Sequence, residues 1–189
     1  MKIGREQKRV HIEIEGKELE QVRHFKYLGS LLAEDVNCET EIRARVAMAK
    51  ETFKPHNSLF TASLELQLKK RLMKCFVWGV FLYGSETWTL RKEDRKRIDA
   101  LEMWLWRKSE NIKWSDSVTN EEVLQRVGEV RRLGETIKLR KKRWIGHILR
   151  HDGLLKDVLE GRMNGKRPRG RKRVMLMHDI RDGRNYFTM

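Results

Sequence analysis

The sequence has few of the residues that staple or interrupt a chain. Of its 189 residues, two are cysteine and two are proline. Cys38 and Cys75 have no neighbouring thiol and no zinc-type spacing, so neither a disulfide framework nor a thiolate cluster is expected. Long apolar runs are missing as well. The most apolar one, Cys75 to Tyr83, covers about nine residues, far short of the ~20 that a membrane span needs. The first ten residues are polar and basic, which argues against a signal peptide. The expectation is a reduced intracellular setting, nuclear or cytoplasmic and not secreted. No internal repeat and no Gly-rich phosphate loop is present, and Ser85 lacks a G-x-S-x-G context. No segment looks like a complete active site.

Acidic charge is the other shortage. There are 27 Asp and Glu against 42 Lys and Arg, which gives a net charge of +15 and a pI near 10.1. Self-repulsion at that charge is a cost unless an anion offsets it, whether nucleic acid, an acidic membrane surface or an acidic protein. The excess is localised. Residues 131–173 carry 16 Lys and Arg against 4 Asp and Glu, most of the chain's surplus. Localised charge is a binding footprint more than a solubility device.

The chain's periodicity predicts a mainly helical fold with a small N-terminal β-hairpin. From Arg9 to about Glu34 the pattern has period two: "VHIEIEG" alternates, "EGKE" is a turn signal, and "HFKYLGSLL" follows, which reads as a hairpin or small meander. Such a hairpin must rest against something. Residues 41–53 then place Ile42, Val46, Ala49 and Phe53 on one helical face, and Pro55 breaks that helix. Ser63 is a candidate N-cap for the next helix. In that helix Leu64, Leu68 and Leu72 oppose Lys69, Lys70 and Lys74, and from Cys75 to Gly84 it is apolar on all sides. A third helix runs from Asp94 to about Asn111. A capping box spans Thr119 to Glu122, Gly128 is a C-cap, and a fourth long helix covers Glu135 to His151.

The candidate binding residues lie in the basic part. Arg140, Arg143, His147 and Arg150 are spaced to share one face of the fourth helix, while Ile137, Trp144 and Ile148 lie on another. A row of guanidinium groups suits a line of phosphates, because each presents a planar fork of donors; the plainer reading is a solvated basic face. The segment "GKRPRGRKR" adds Lys166, Arg167, Arg169, Arg171, Lys172 and Arg173, either as an anion-binding arm or as a nuclear-import signal. Of the six tryptophans most are expected in the core, with Trp88 and Trp114 the better candidates for stacking on bases. His147 and His151 have a metal-compatible spacing but no further ligand motif. The acidic neighbours Asp35 with Glu41, and Glu93 with Asp94, read as first-turn helix acids.

Taken in order, "FKYLGSLL", "EIRARVAMAKETF", "LYGSETWTLRKED", "LEMWLWRK", "WSDSVTNEEVL", "RKKRWIGHILRHD" and "GKRPRGR" resemble the C-terminal part of the reverse transcriptases of non-LTR (LINE-like) retrotransposons. The resemblance covers about Val22 to Ile180. It implies three regions: residues 1–36 as the hairpin that closes the palm, residues 37–130 as a helical thumb, and residues 131–189 as a basic C-terminal extension. It further implies that Phe25, Tyr27, Leu28 and Gly29 are primer-grip-like, and that the partners are RNA, DNA and their hybrid, with a palm domain supplied from elsewhere. The family's activity is RNA-directed DNA polymerisation. Its Tyr-x-Asp-Asp-type aspartates have no counterpart here, so no cofactor is expected for this chain, Mg²⁺ belonging to the full-length parent enzyme. Further departures from the family pattern are that neither its endonuclease region nor a zinc knuckle has a counterpart here, and that "VMLMHDI" follows "RGRKR" where the family commonly has a Trp. The alternative expectation is a domesticated or decayed element fragment that acts as a protein-interaction module.

Overall fold

The computed structural model describes residues 11–35, 37–62, 64–160 and Leu176. The fold is mainly helical, with small β-hairpins at its N-terminal end. Two separate two-stranded sheets stand where one hairpin or meander was expected. The first pairs β1 (Glu13–Ile14) with β2 (Lys17–Glu18), and the second pairs β3 (His24–Tyr27) with β4 (Ser30–Ala33). Both turns have two residues with positive φ, Glu15 and Gly16 in one and Leu28 and Gly29 in the other. That geometry matches the right-handed twist of the strands, which is why two-residue loops favour it.

The second hairpin is fastened to the helices through its turn. The Leu31 amide donates to Glu41 at 2.7 Å, Glu41 accepts from Arg45 Nε at 2.8 Å, and Arg45 Nη2 donates to the Gly29 carbonyl at 2.6 Å. Tyr83 Oη donates to the Leu28 carbonyl at 2.8 Å, and the Arg45 guanidinium lies 4.7 Å from the centre of the Tyr83 ring. The side chains of Arg45 and Glu41 are only 7% and 6% exposed. Glu41 therefore does more than oppose a helix dipole: it joins strand to helix. Asp35, its expected companion, accepts instead from the Asn37 amide at 3.0 Å, and that bond holds its carboxyl below the usual range.

Helix α1 (Glu39–Phe53) buries Ile42, Ala49 and Phe53, with Val46 half-buried. A turn around Pro55 leads to a short helix, α2 (Asn57–Thr61), which periodicity did not predict. Helix α3 (Leu66–Leu72) continues through a π-helical segment, Met73–Trp78, into α4 (Gly79–Phe81). Glu65 occupies its N-cap position; Ser63 lies outside the described residues. Two expectations fail in this helix. Lys70, assigned to the polar face, is buried, and Leu68, assigned to the apolar one, is exposed. The reason is local: Lys70 Nζ donates to the Gly128 carbonyl at 3.2 Å and lies 3.8 Å from Glu129, so its stem packs inside while its charge finds oxygen. Nor is the stretch from Cys75, apolar on all sides, buried on all of them. Cys75 and Phe76 face solvent while Val77, Trp78 and Phe81 are buried, because a π turn holds an extra residue and displaces the face beyond it. Gly84, at φ 70°, ends the run.

Helix α5 (Lys92–Ser109) is the central element. It buries Ile98, Leu101, Met103, Leu105 and Trp106 around a wide arc. Helix α6 (Asn120–Val127) begins at the predicted capping box and ends at Gly128 in the left-handed conformation. Helix α7 (Leu133–Leu149) places Leu133 and Ile137 in the same core as Ile42, Phe60 and Phe81, and α8 (Leu154–Glu160) follows. Aromatic pairs fill the centre: Phe53 stacks on Phe60 at 4.9 Å, and Trp78 meets Trp106 edge-on at 6.5 Å. Each fully buried large apolar side chain contributes about 1.5–3 kcal/mol, enough in sum to carry a few buried charges. Among the described residues, no helix is long and apolar enough to cross a membrane.

Candidate nucleic-acid interface

Helix α7 buries Leu133, Ile137, Lys141, Ile145 and Ile148, a stripe at spacings of three and four. That stripe fixes which basic residues can reach solvent. Arg143, His147 and Arg150 lie off it and are exposed, as is Lys142. None of these four has a carboxylate partner among the described residues; His147 meets the His151 ring at 4.8 Å, edge to face. Trp144 is half-buried beside the stripe.

Arg140 differs from the other three. It borders the buried stripe and is engaged within the fold, donating from Nη1 to the Leu82 carbonyl at 3.1 Å, with Glu86 at 3.5 Å. Lys141, one residue on, is fully buried and donates from Nζ to the Trp88 carbonyl. Together these two side chains pin α7 to the turn that follows α4. The structure therefore brings together Arg143, His147 and Arg150 as a solvent-facing row, with Arg140 partly withdrawn from it. Lys166, Arg167, Arg169, Arg171, Lys172 and Arg173 lie outside the described residues.

The start of α7 is held by acid. Glu102 of α5 accepts from the amides of Arg132 at 2.9 Å and Leu133 at 3.1 Å. Its burial pushes the carboxyl up, against the pull of those two amides. Beside it, Glu129 gathers Lys74 at 2.8 Å, Lys70 at 3.8 Å and Arg132 at 3.6 Å. That single carboxylate offsets one of the three positive charges around it, whereas Lys142, Arg143 and Arg150 on the outer face of α7 have none beside them among the described residues.

The tryptophans divide unevenly. Trp88, expected to be free for stacking, is buried with its ring edge-on to Phe81 at 5.5 Å, because the turn carrying it lies under α7. Trp114 is fully exposed, in the short 3₁₀ turn Trp114–Asp116. It borders an open hollow of about 980 Å³ that Trp104, Arg107, Lys108 and Lys113 also line. Charge clustering does not single out Lys142, Lys108 or Lys113; the faces that α7 and α5 bury reveal the first two, and the loop before the Trp114 turn the third.

The hairpin residues Phe25, Tyr27 and Leu28 are exposed. Phe25 pairs with Leu32 and Tyr27 with Ser30, so Phe25, Tyr27 and Leu32 share one outward apolar face. Gly29 sits at φ 80°, and a Cβ there would stand 3.7 Å from the Tyr83 ring. No family model, curated protein or solved structure matches the chain.

Proposed function

We propose that this chain is a nucleic-acid-binding fragment of a non-LTR retrotransposon reverse transcriptase, gripping template RNA and RNA–DNA hybrid without a catalytic site of its own. The observation that carries the reading is the outer face of α7: Lys142, Arg143 and Arg150, exposed and without a carboxylate partner among the described residues, in the segment that holds most of the net charge. Guanidinium groups on a rigid helix offer fixed donor forks to phosphate oxygens, and the released counterions supply the binding free energy. Exposed Phe25, Tyr27 and Leu28 at the hairpin turn support the primer-grip-like assignment. Three buried acids serve the fold: Glu41 binds Arg45 and the Leu31 amide, Asp94 binds Arg97 and the Arg91 amide, and Glu102 caps α7. These residues do not fit the paired-carboxylate site that a polymerase's Mg²⁺ requires.

The test is salt-dependent binding of the full chain to RNA–DNA hybrid. With roughly six to ten phosphate contacts, affinity falls by about 10³–10⁵ between 50 and 200 mM salt. Arg143→Ala and Arg150→Ala each reduce the salt slope by about one, whereas Arg140→Ala lowers stability more than binding. A binding constant flat across that salt range sinks the reading. The exposed apolar face of Phe25, Tyr27 and Leu32 favours a second one, in which a captured or decayed element fragment serves as a protein-interaction module. A protein partner retained after nuclease treatment, and lost on Phe25→Ser, would support it.

A further inference from the structure

The loop between α5 and α6 displays an aromatic ring that the fold does not use. Trp114 is 100% exposed. A ring of that size in water forgoes the burial that makes tryptophan dominant in cores. Its exposure is not that of a frayed end, because the loop is tied down on both sides. Arg107 Nη2 donates to the Val118 carbonyl at 2.7 Å and to Asn120 Oδ1 at 2.9 Å, and the Ile112 amide donates to the Arg107 carbonyl at 2.9 Å. Asp116 accepts from the Lys113 amide at 2.7 Å and from Ser115 Oγ at 3.1 Å. The ring is held out by a preorganised turn, which lowers the ordering cost of any contact it makes.

The surroundings say what that contact is. The hollow of about 980 Å³ that Trp114 borders is lined by a second indole, Trp104, and by Lys108 and Lys113. No aspartate or glutamate lines it, and the two lysine ammonium groups have no carboxylate partner among the described residues. One edge of Trp104 rests on Phe53 at 5.4 Å, with Lys50 Nζ 5.2 Å from its ring centre. Aromatic faces interleaved with unpaired cations, in a space at the upper end of the ~300–1,000 Å³ typical of ligand sites, suit bases and phosphates together.

We infer that this hollow binds single-stranded nucleic acid, with an unpaired base stacked on Trp114 and backbone phosphates on Lys108 and Lys113. The inference rests on the nucleic-acid reading above and adds the form of the ligand. Within a duplex the base faces are covered by their neighbours, so only an unstacked base can meet the indole. The α7 row can grip a duplex backbone; the Trp114 hollow cannot stack on one.

The test uses the full chain and two labelled probes, a single-stranded oligouridylate and an RNA–DNA hybrid duplex of equal length. Trp114→Ala is expected to weaken oligouridylate binding about 10- to 100-fold while leaving hybrid binding within about twofold. Trp114→Phe is expected to restore most of the loss. Replacing Lys108 and Lys113 together by alanine lowers the single-strand salt slope by about 1 to 1.5. The melting temperature of each variant, expected to stay at the wild-type value, excludes a folding defect. Unchanged oligouridylate binding by Trp114→Ala overturns the hollow alone, provided Arg143→Ala still weakens the hybrid. Failure of the wild type to bind either probe overturns both readings. A polyglutamate peptide that binds equally well, and with equal dependence on Trp114, overturns the base-stacking assignment.

Discussion

Lysine and arginine inside this protein are placed where a carbonyl or carboxylate can receive them, and that placement governs how single substitutions behave. Lys70 reaches the Gly128 carbonyl, Lys141 the Trp88 carbonyl, and Arg45 the Gly29 carbonyl together with Glu41. Removing one partner of a buried pair leaves the other charge desolvated, at a cost of about 3–5 kcal/mol. Glu41→Ala is therefore expected to destabilise the chain by about that amount in urea unfolding, since it strands both the Arg45 guanidinium and the Leu31 amide. A double replacement of Glu41 and Arg45 by apolar residues of similar volume is expected to cost less than Glu41→Ala alone. None of this was legible in the sequence. Patterning counts a lysine as outward, so Lys70 reads as part of a polar face and nothing marks Lys141 as buried; the acceptors that keep both inside lie more than fifty residues away.

At the scale of elements, two helix N-termini are held by glutamate in opposite electrostatic settings. At α6 the exposed Glu122 accepts from the Thr119 amide and hydroxyl, and those bonds hold its carboxyl below its ordinary value of 4.5. At α7 the buried Glu102 accepts two amides, yet burial dominates and its carboxyl is pushed above 4.5. The signs of linkage follow. The Glu122 contribution is present above pH 4.5 and fades as pH falls through its depressed value; the Glu102 contribution is complete below pH 4.5 and fades as pH rises through its raised value. Melting temperatures of the wild type, Glu122→Gln and Glu102→Gln between pH 3 and 7 are expected to separate them. The advantage of wild type over Glu122→Gln grows with pH, and its advantage over Glu102→Gln shrinks. A shared direction would contradict the assignment. The first device was readable in advance, because a capping box closes within four residues and is written in the local sequence. The second joins residues thirty apart, and only the packing of α5 against α7 reveals it. The same distinction explains why α1, α5 and α7 emerged from their periodicity, while Trp88 was misassigned. Its loop-like neighbours did not disclose the helix that covers it.

Across the whole molecule, the core runs without a break from Ile42 on α1 to Ile137 on α7. One core predicts one transition. Far-UV circular dichroism and tryptophan fluorescence of the full chain are expected to report coincident urea midpoints, and two separated midpoints would show that α7 folds as an independent unit. The net charge of +15 opposes that core through self-repulsion, so added salt is expected to raise the midpoint even as it weakens polyanion binding. The widened turn at Met73–Trp78 has a further consequence for chain length. It already accommodates one residue more than a regular helix would. Deleting a single residue there would let the segment close as a regular helix with its two flanks near their present phase, whereas inserting another would rotate one half of the rod against the other by about 100°. Either Lys70 would swing away from Glu129 or Trp78 would lose its seat beside Trp106. Lengthening by one residue would thus turn part of the interior outward, while shortening by one is the change the wide turn can absorb.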